Sequence, residues 1–165
     1  MSINEVERGA RDVNGYRQSR HNVLTEKDVE HLLGEIDAIG ADRSVFRFNE
    51  GYTTTFSDKK GVIYVKGNVY PDLNSKHPRD LMSERAVLAH EYYGHYKFFR
   101  SKFKAGDWRD EMRASYIAAL KAPNLSDEDR AYLMLDAYER AREAGIILEY
   151  SKKAREIIYG YKEQD

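Results

Sequence analysis

Two histidines five positions apart, in Ala89-His90-Glu91-Tyr92-Tyr93-Gly94-His95, constrain this chain more than any other feature of its sequence. The apolar run Ala86-Val87-Leu88-Ala89 leads into them, so the segment is expected to be a buried helix carrying three ionisable side chains, and such groups need partners. Imidazoles and carboxylates are the ligands zinc takes when no thiolate is on offer, and the chain has no cysteine. Together with Glu111 from the acidic pair Asp110-Glu111, His90 and His95 make up the three-ligand set of a catalytic zinc, whose fourth position is left for water.

The spacing is itself a structural demand. On a regular α-helix, residues i and i+4 lie about 40° apart, whereas i and i+5 lie about 140° apart and cannot both face one ion. The extra residue has to be absorbed locally, most simply by a π-bulge. Gly94 is where the bulge belongs, since glycine costs about 1 kcal/mol relative to alanine inside a helix and tolerates irregular backbone. Glu91 follows the first ligand at about 100° around the helix. From there it should not bind the same ion head-on but should reach water beside it, the place for a general base.

His-Glu-x-x-Gly-His followed by a helix carrying acidic-Glu-x-Arg-Ala resembles the variant zincin motif of the dipeptidyl peptidase III type. The matching residues are His90-Glu91-Tyr92-Tyr93-Gly94-His95 and Asp110-Glu111-Met112-Arg113-Ala114. The resemblance implies His90, His95 and Glu111 as zinc ligands, Glu91 as base, and Asp110 behind the ligands; Asp110 stands where that family has its first glutamate. It covers only His90 to Ala114, and the chain is too short for that family's two-lobed architecture, so dipeptide-releasing specificity is not carried over. In size the chain is more similar to the small zincin-like metallopeptidase domains of bacterial toxin and phage-associated proteins.

At 165 residues the chain is expected to form one domain, residues 1 to 165, with residues 1 to 22 as a loosely packed arm. Its 27 basic and 28 acidic residues leave a net charge of −1, which recommends neither nucleic acid nor an anionic membrane as a partner. No apolar run reaches the roughly 18 residues of a membrane span, and the N-terminus lacks a signal-peptide core. The expectation is synthesis in the cytoplasm, with any export by a route that needs no signal peptide.

Thr25, with Asp28 three residues on, begins a helix whose Val29, Leu32, Leu33, Ile36 and Ile39 repeat at helical spacing up to Gly40, and this helix should cover a sheet face. Val45 to Phe48, Tyr52 to Phe56 and Val62 to Tyr70 read as three antiparallel strands in a meander, with Asn49-Glu50-Gly51 as the first hairpin turn. Val62 to Tyr70 is the candidate edge at which an extended peptide would pair, the alternative being a strand that simply closes the sheet. The zinc helix should run from about Pro78 or Asp80 to about Ser101. Asp107 is a plausible N-cap for the helix carrying Glu111, and Ala114, Ala118 and Ala119 allow that helix a close approach. Asp110 is then placed to orient a ligand imidazole. Ser126 caps a later helix with Asp129 at its third position.

His21 and His31 are expected to be solvated. His77 is expected to be a loop histidine without a role, with the alternative that it sits at the cleft rim and steadies an oxyanion. Tyr92, Tyr93, Tyr96 and Trp108 gather aromatic rings near the metal, and one tyrosine hydroxyl among them is a candidate to polarise a substrate carbonyl. These expectations add up to an α+β, zincin-like, Zn²⁺-dependent metallopeptidase acting on a protein or peptide substrate, of an effector or toxin type. The alternative is a non-catalytic zinc module that binds another protein, and a metal-free helical interaction domain stands behind that.

Overall fold

The computed structural model describes residues 19–98, 104 and 106–163, so most of the arm expected over residues 1 to 22 lies outside the described residues. Helices and one small three-stranded sheet make up the architecture. Helix α1 (Glu26–Ala38) begins with the anticipated reciprocal cap: Asp28 N donates to Thr25 Oγ1 at 3.2 Å and Thr25 N donates to Asp28 Oδ2 at 2.8 Å. Its Leu32 and Ile36, with Ile39 just beyond, are fully buried. The main neighbour of α1 is the helix Glu84–Ala89, not the sheet expected for it. Arg85 Nε donates to Glu35 at 2.5 Å, and buried Asp28 accepts from the Tyr70 hydroxyl at 2.8 Å, which ties α1 to the chain on either side of that helix's start.

The sheet corrects a second expectation. Strands β1 (Phe46–Phe48), β2 (Thr55–Ser57) and β3 (Val62–Val65) are ordered β1-β3-β2, with β3 central, parallel to β1 and antiparallel to β2. Asn49-Glu50-Gly51 is therefore no hairpin turn. Asn49, at φ 62°, clasps Leu24 with its side-chain amide, accepting from Leu24 N at 2.8 Å and donating to Leu24 O at 3.0 Å. Gly51, at φ 79°, lies so close to the Tyr64 ring that a Cβ there would be 2.5 Å from Cγ. The chain thus passes over β3 at Tyr64 and pairs on its far side. β3 is interior to the sheet and offers no free edge, while β2 takes the outer position beside the segment that carries His90 and His95.

Short helix α2 (Pro78–Leu81) and helix α3 (Glu84–Ala89) replace the single long helix expected. Ser83 is the reason for the break. Its hydroxyl accepts from Ala86 N at 3.1 Å, capping a new helix, and donates to Asp129 at 2.7 Å. From α3 the chain continues into a π-helix, His90–Lys97. Helices α4 (Trp108–Lys121), α5 (Asp127–Glu143) and α6 (Lys152–Glu163) follow, with α4 packed between the π-helix and α5. Asp107 and Ser126 cap α4 and α5 as expected, each accepting a first-turn amide at 2.9 Å. The core runs from α1 through Leu88 and Ala118 to Leu133, Met134 and Ile158. No helix among the described residues is long and apolar enough to cross a membrane.

Candidate metal centre

The i, i+5 spacing is met by a π-helix over the whole of His90–Lys97, not by a one-turn bulge. Hydrogen bonding from i to i+5 puts residues five apart on one face. His90 and His95 accordingly stand edge to face, with ring centroids 4.9 Å apart and Nε2 atoms 3.2 Å apart. Gly94 has a different reason from the one expected. Its backbone is not in the left-handed region; instead a Cβ there would lie 2.6 Å from both Cβ and O of Ala114 and 2.7 Å from its Cα. Glycine lets α4 approach the π-helix backbone. That approach carries Glu111, one turn before Ala114, to both imidazoles: its Oε1 is 3.0 Å from His90 Nε2 and 3.1 Å from His95 Nε2.

The far side of each ring decides which nitrogen carries a proton. Ser115 Oγ lies 2.8 Å from His90 Nδ1 and donates its one hydrogen to Asp136 Oδ2 at 2.7 Å, so it must accept from His90 Nδ1–H. Ser115 and Asp136 are fully buried, and Asp136 is held in turn by Arg79 Nε at 2.8 Å and Arg140 Nε at 3.2 Å. Although burial opposes its charge, the two arginines keep the Asp136 carboxyl below its ordinary range. His95 Nδ1 faces Asp110 Oδ2 at 3.4 Å, the position anticipated for Asp110. Arg113 braces that carboxylate at 3.1 Å and also donates to Gly94 O at 2.8 Å. Both Nδ1 protons are thereby committed, and the two Nε2 atoms turn towards one carboxylate oxygen.

Three donor atoms within 3.0–3.2 Å of one another can be bridged by a proton or by a metal ion. A tetrahedral zinc with bonds of about 2.0–2.1 Å holds its ligand atoms about 3.3–3.4 Å apart, so the donor set fits after a small outward adjustment. Without metal, a proton takes the place of the ion. Burial disfavours a charged His95, but its bonds to Asp110 and Glu111, with Glu91 nearby, raise it to about 10. The same bonds hold the Glu111 carboxyl well below its usual range against the cost of burial.

Glu91 stands apart from the three donors. Its Oε1 is 4.0 Å from His90 Nε2, farther than the 3.0–3.2 Å that separates those three donors from one another, and its Oε2 is buried with no hydrogen-bond partner among the described residues. Burial raises its pKa. Buried carboxylate oxygens are nearly always satisfied, so one left open beside a donor cluster marks a place for water or substrate.

Two cavities open on either side of this group. One, of 220 Å³, is lined by Thr55, Asn68, His90, Glu91, Arg79 and Arg140 among others; the second, of 260 Å³, by Thr55, Phe56, Asp58, His95, Asp110 and Glu111 with Gly106. Thr55 and Glu111 border both, so strand β2 runs along the groove, and the Phe56 ring stacks on His95 at 6.4 Å. No tyrosine is among the described residues that line either cavity. Tyr93 instead donates to Ile39 O at 2.5 Å, and Tyr92 packs on Phe46. His77 caps α2, accepting from Arg79 N at 3.2 Å, and lies outside both cavities. His21 is exposed, and His31 pairs with Glu84 at 3.2 Å on the surface.

All five residues singled out from the sequence, His90, Glu91, His95, Asp110 and Glu111, are brought together. Ser115, Asp136, Arg79 and Arg140 were not foreseen. The one signal for Asp136 is an acid amid the apolar positions of α5. Comparison of the chain with known protein families, with curated proteins and with solved structures finds no match.

Proposed function

We propose that this chain is a zinc-dependent metallopeptidase of zincin-like fold. The observation that carries the reading is the convergence of His90 Nε2, His95 Nε2 and Glu111 Oε1 within 3.2 Å, with both Nδ1 protons committed elsewhere. A zinc ion bound by these three supplies Lewis acidity, polarising a carbonyl and acidifying water. Glu91 is the proton carrier. Its open Oε2 takes a proton as water attacks the peptide carbonyl and returns it to the leaving amine, and its raised pKa brings it nearer the operating pH. Strand β2 pairs with β3 on one side only among the described residues, so an extended peptide can add to its other edge and lie across both cavities.

The test combines metal content with hydrolysis. Native mass spectrometry should find one zinc per chain in the wild type and in Glu91→Gln, and loss or weakening of it in His95→Ala and Glu111→Ala. Cleavage of a mixed peptide library should occur with the wild type and vanish in Glu91→Gln. Zinc without cleavage would leave a non-catalytic zinc module; no zinc after incubation with the metal would end the peptidase reading.

A further inference from the structure

The cavity on the Glu91 side has a cationic wall that the zinc chemistry does not use. Arg79 and Arg140 both line it, and both are anchored on Asp136, whose side chain is 0% exposed. Their situations differ. Arg79 has its fork engaged from two sides, by Asp136 at 2.8 Å and by Glu143 at 2.5 Å. Arg140 gives only its Nε, to Asp136 at 3.2 Å, and has no other hydrogen bond among the described residues.

A half-buried guanidinium fixed at one end, with both terminal nitrogens open, is a preorganised receptor for a planar anion, because the fork matches a carboxylate bidentately. The two arginines are not equally neutralised. Arg79 is met by both Asp136 and Glu143, whereas Arg140 has only its share of Asp136, and the acids lining this cavity are Glu91 and Glu111. Glu111 is engaged by the two imidazoles. The remaining lining, from Thr54, Thr55, Asn68, Met82 and Val87, is neutral, and 220 Å³ admits one side chain or a chain end. Arg140 and Glu91 line this one cavity, so whatever Arg140 holds sits on the Glu91 side of the proposed scissile bond.

We propose that Arg140 selects substrate: it receives a carboxylate carried by the residue next to the scissile bond on the Glu91 side. The carboxylate is an Asp or Glu side chain or the α-carboxylate of a chain end. Its placement next to a scissile bond rests on the peptidase reading above, whereas the carboxylate site itself can be measured without catalysis.

Three acetylated tripeptides, alike except at one side chain and at the C-terminus, make the test: one with Glu at the selected position and an amidated C-terminus, one with Gln there and an amidated C-terminus, and one with Gln and a free C-terminus. Binding to the metal-free wild-type protein, followed by ¹⁵N-resolved NMR titration, should favour one charged peptide over the neutral one by about 10- to 100-fold, the usual worth of a hydrogen-bonded charge. The charged peptide that wins identifies the source of the carboxylate. Arg140→Lys keeps a cation against Asp136 but loses the fork, and should reduce the preference to a few-fold. Cleavage of the same peptides by the zinc-loaded wild type should follow the same order.

Equal binding of all three peptides by the wild type would overturn the proposal without recourse to any variant, as would an undiminished preference in Arg140→Lys. Cleavage without charge preference would sink the selectivity and spare the peptidase. Preferential binding with no cleavage of any peptide would leave a carboxylate site and sink the peptidase.

Discussion

Replacing Gly94 by alanine tests whether the approach of two helices builds the metal site. The new Cβ would stand 2.6 Å from Ala114 Cβ and O and 2.7 Å from its Cα. Favourable carbon contacts begin near 3.5 Å, so α4 has to withdraw by about 0.9 Å. Two of the three obstructing atoms are backbone, so no rotamer change relieves them. Glu111 travels with α4, and its 3.0 and 3.1 Å separations from the imidazoles open towards about 4 Å, beyond what one tetrahedral ion can span. The carboxylate can swing to recover part of this, so zinc affinity should fall by about 10- to 100-fold and not vanish, as when a supporting group of a metal site is lost. Overpacking costs about 1–3 kcal/mol, offset by about 1 kcal/mol of helix propensity, so the variant should still fold. The assay is competition for zinc against a chelator of known affinity, beside thermal unfolding of the metal-free protein. Gly34→Ala on α1 is the control, because nothing lies within 4 Å of its Cβ, and it should leave zinc binding unchanged. Adding Ala114→Gly to Gly94→Ala removes only one of the three obstructions and should restore part of the affinity. Wild-type affinity in Gly94→Ala would refute the reasoning.

Ser115→Ala should weaken zinc about 10- to 100-fold in the same competition assay, since it frees the His90 tautomer, and should cost about 1–3 kcal/mol by leaving buried polar groups short of a partner. Metal-free His95, at about 10 against an ordinary 6.5, carries a proton at pH 7 that zinc must displace. Calorimetry in buffers of different ionisation enthalpy should therefore find about one proton released per zinc, with affinity rising about tenfold per pH unit below that value. Because the pKa is raised on folding, the imidazolium's contribution to metal-free stability is fully present below about 6.5 and is lost as pH rises towards 10; the zinc-loaded protein should lack this loss, and identical pH profiles for the two forms would refute it. Gly51→Ala meets both a φ of 79° and the Tyr64 ring, and should destabilise the fold by about 1–3 kcal/mol in urea denaturation, with Gly61→Ala, at φ 67° in open space, costing less.

What the chain determines by itself is what its local geometry and chemistry force. Thr25, Asp107 and Ser126 cap helices because their side chains satisfy amides within three residues, a matter decided inside one turn. Two histidines at i, i+5 on an apolar helix demand a π-turn if they share an ion, and the absence of cysteine narrows the donors to His, Asp and Glu. Contacts across long stretches of chain were decided only by the tertiary structure. The mixed sheet order depends on Asn49 gripping Leu24 and Gly51 lying on Tyr64, side-chain contacts that alternation of apolar residues cannot encode. The same holds for Ser115, 21 residues from Asp136, and for Arg79, 57 residues from it: each is an ordinary polar residue until packing buries that carboxylate beside it. Gly94 shows the boundary between the two. Its need for a missing side chain is visible in the sequence, but the atoms that fill that space belong to Ala114 on another helix, and only the packed structure supplies them.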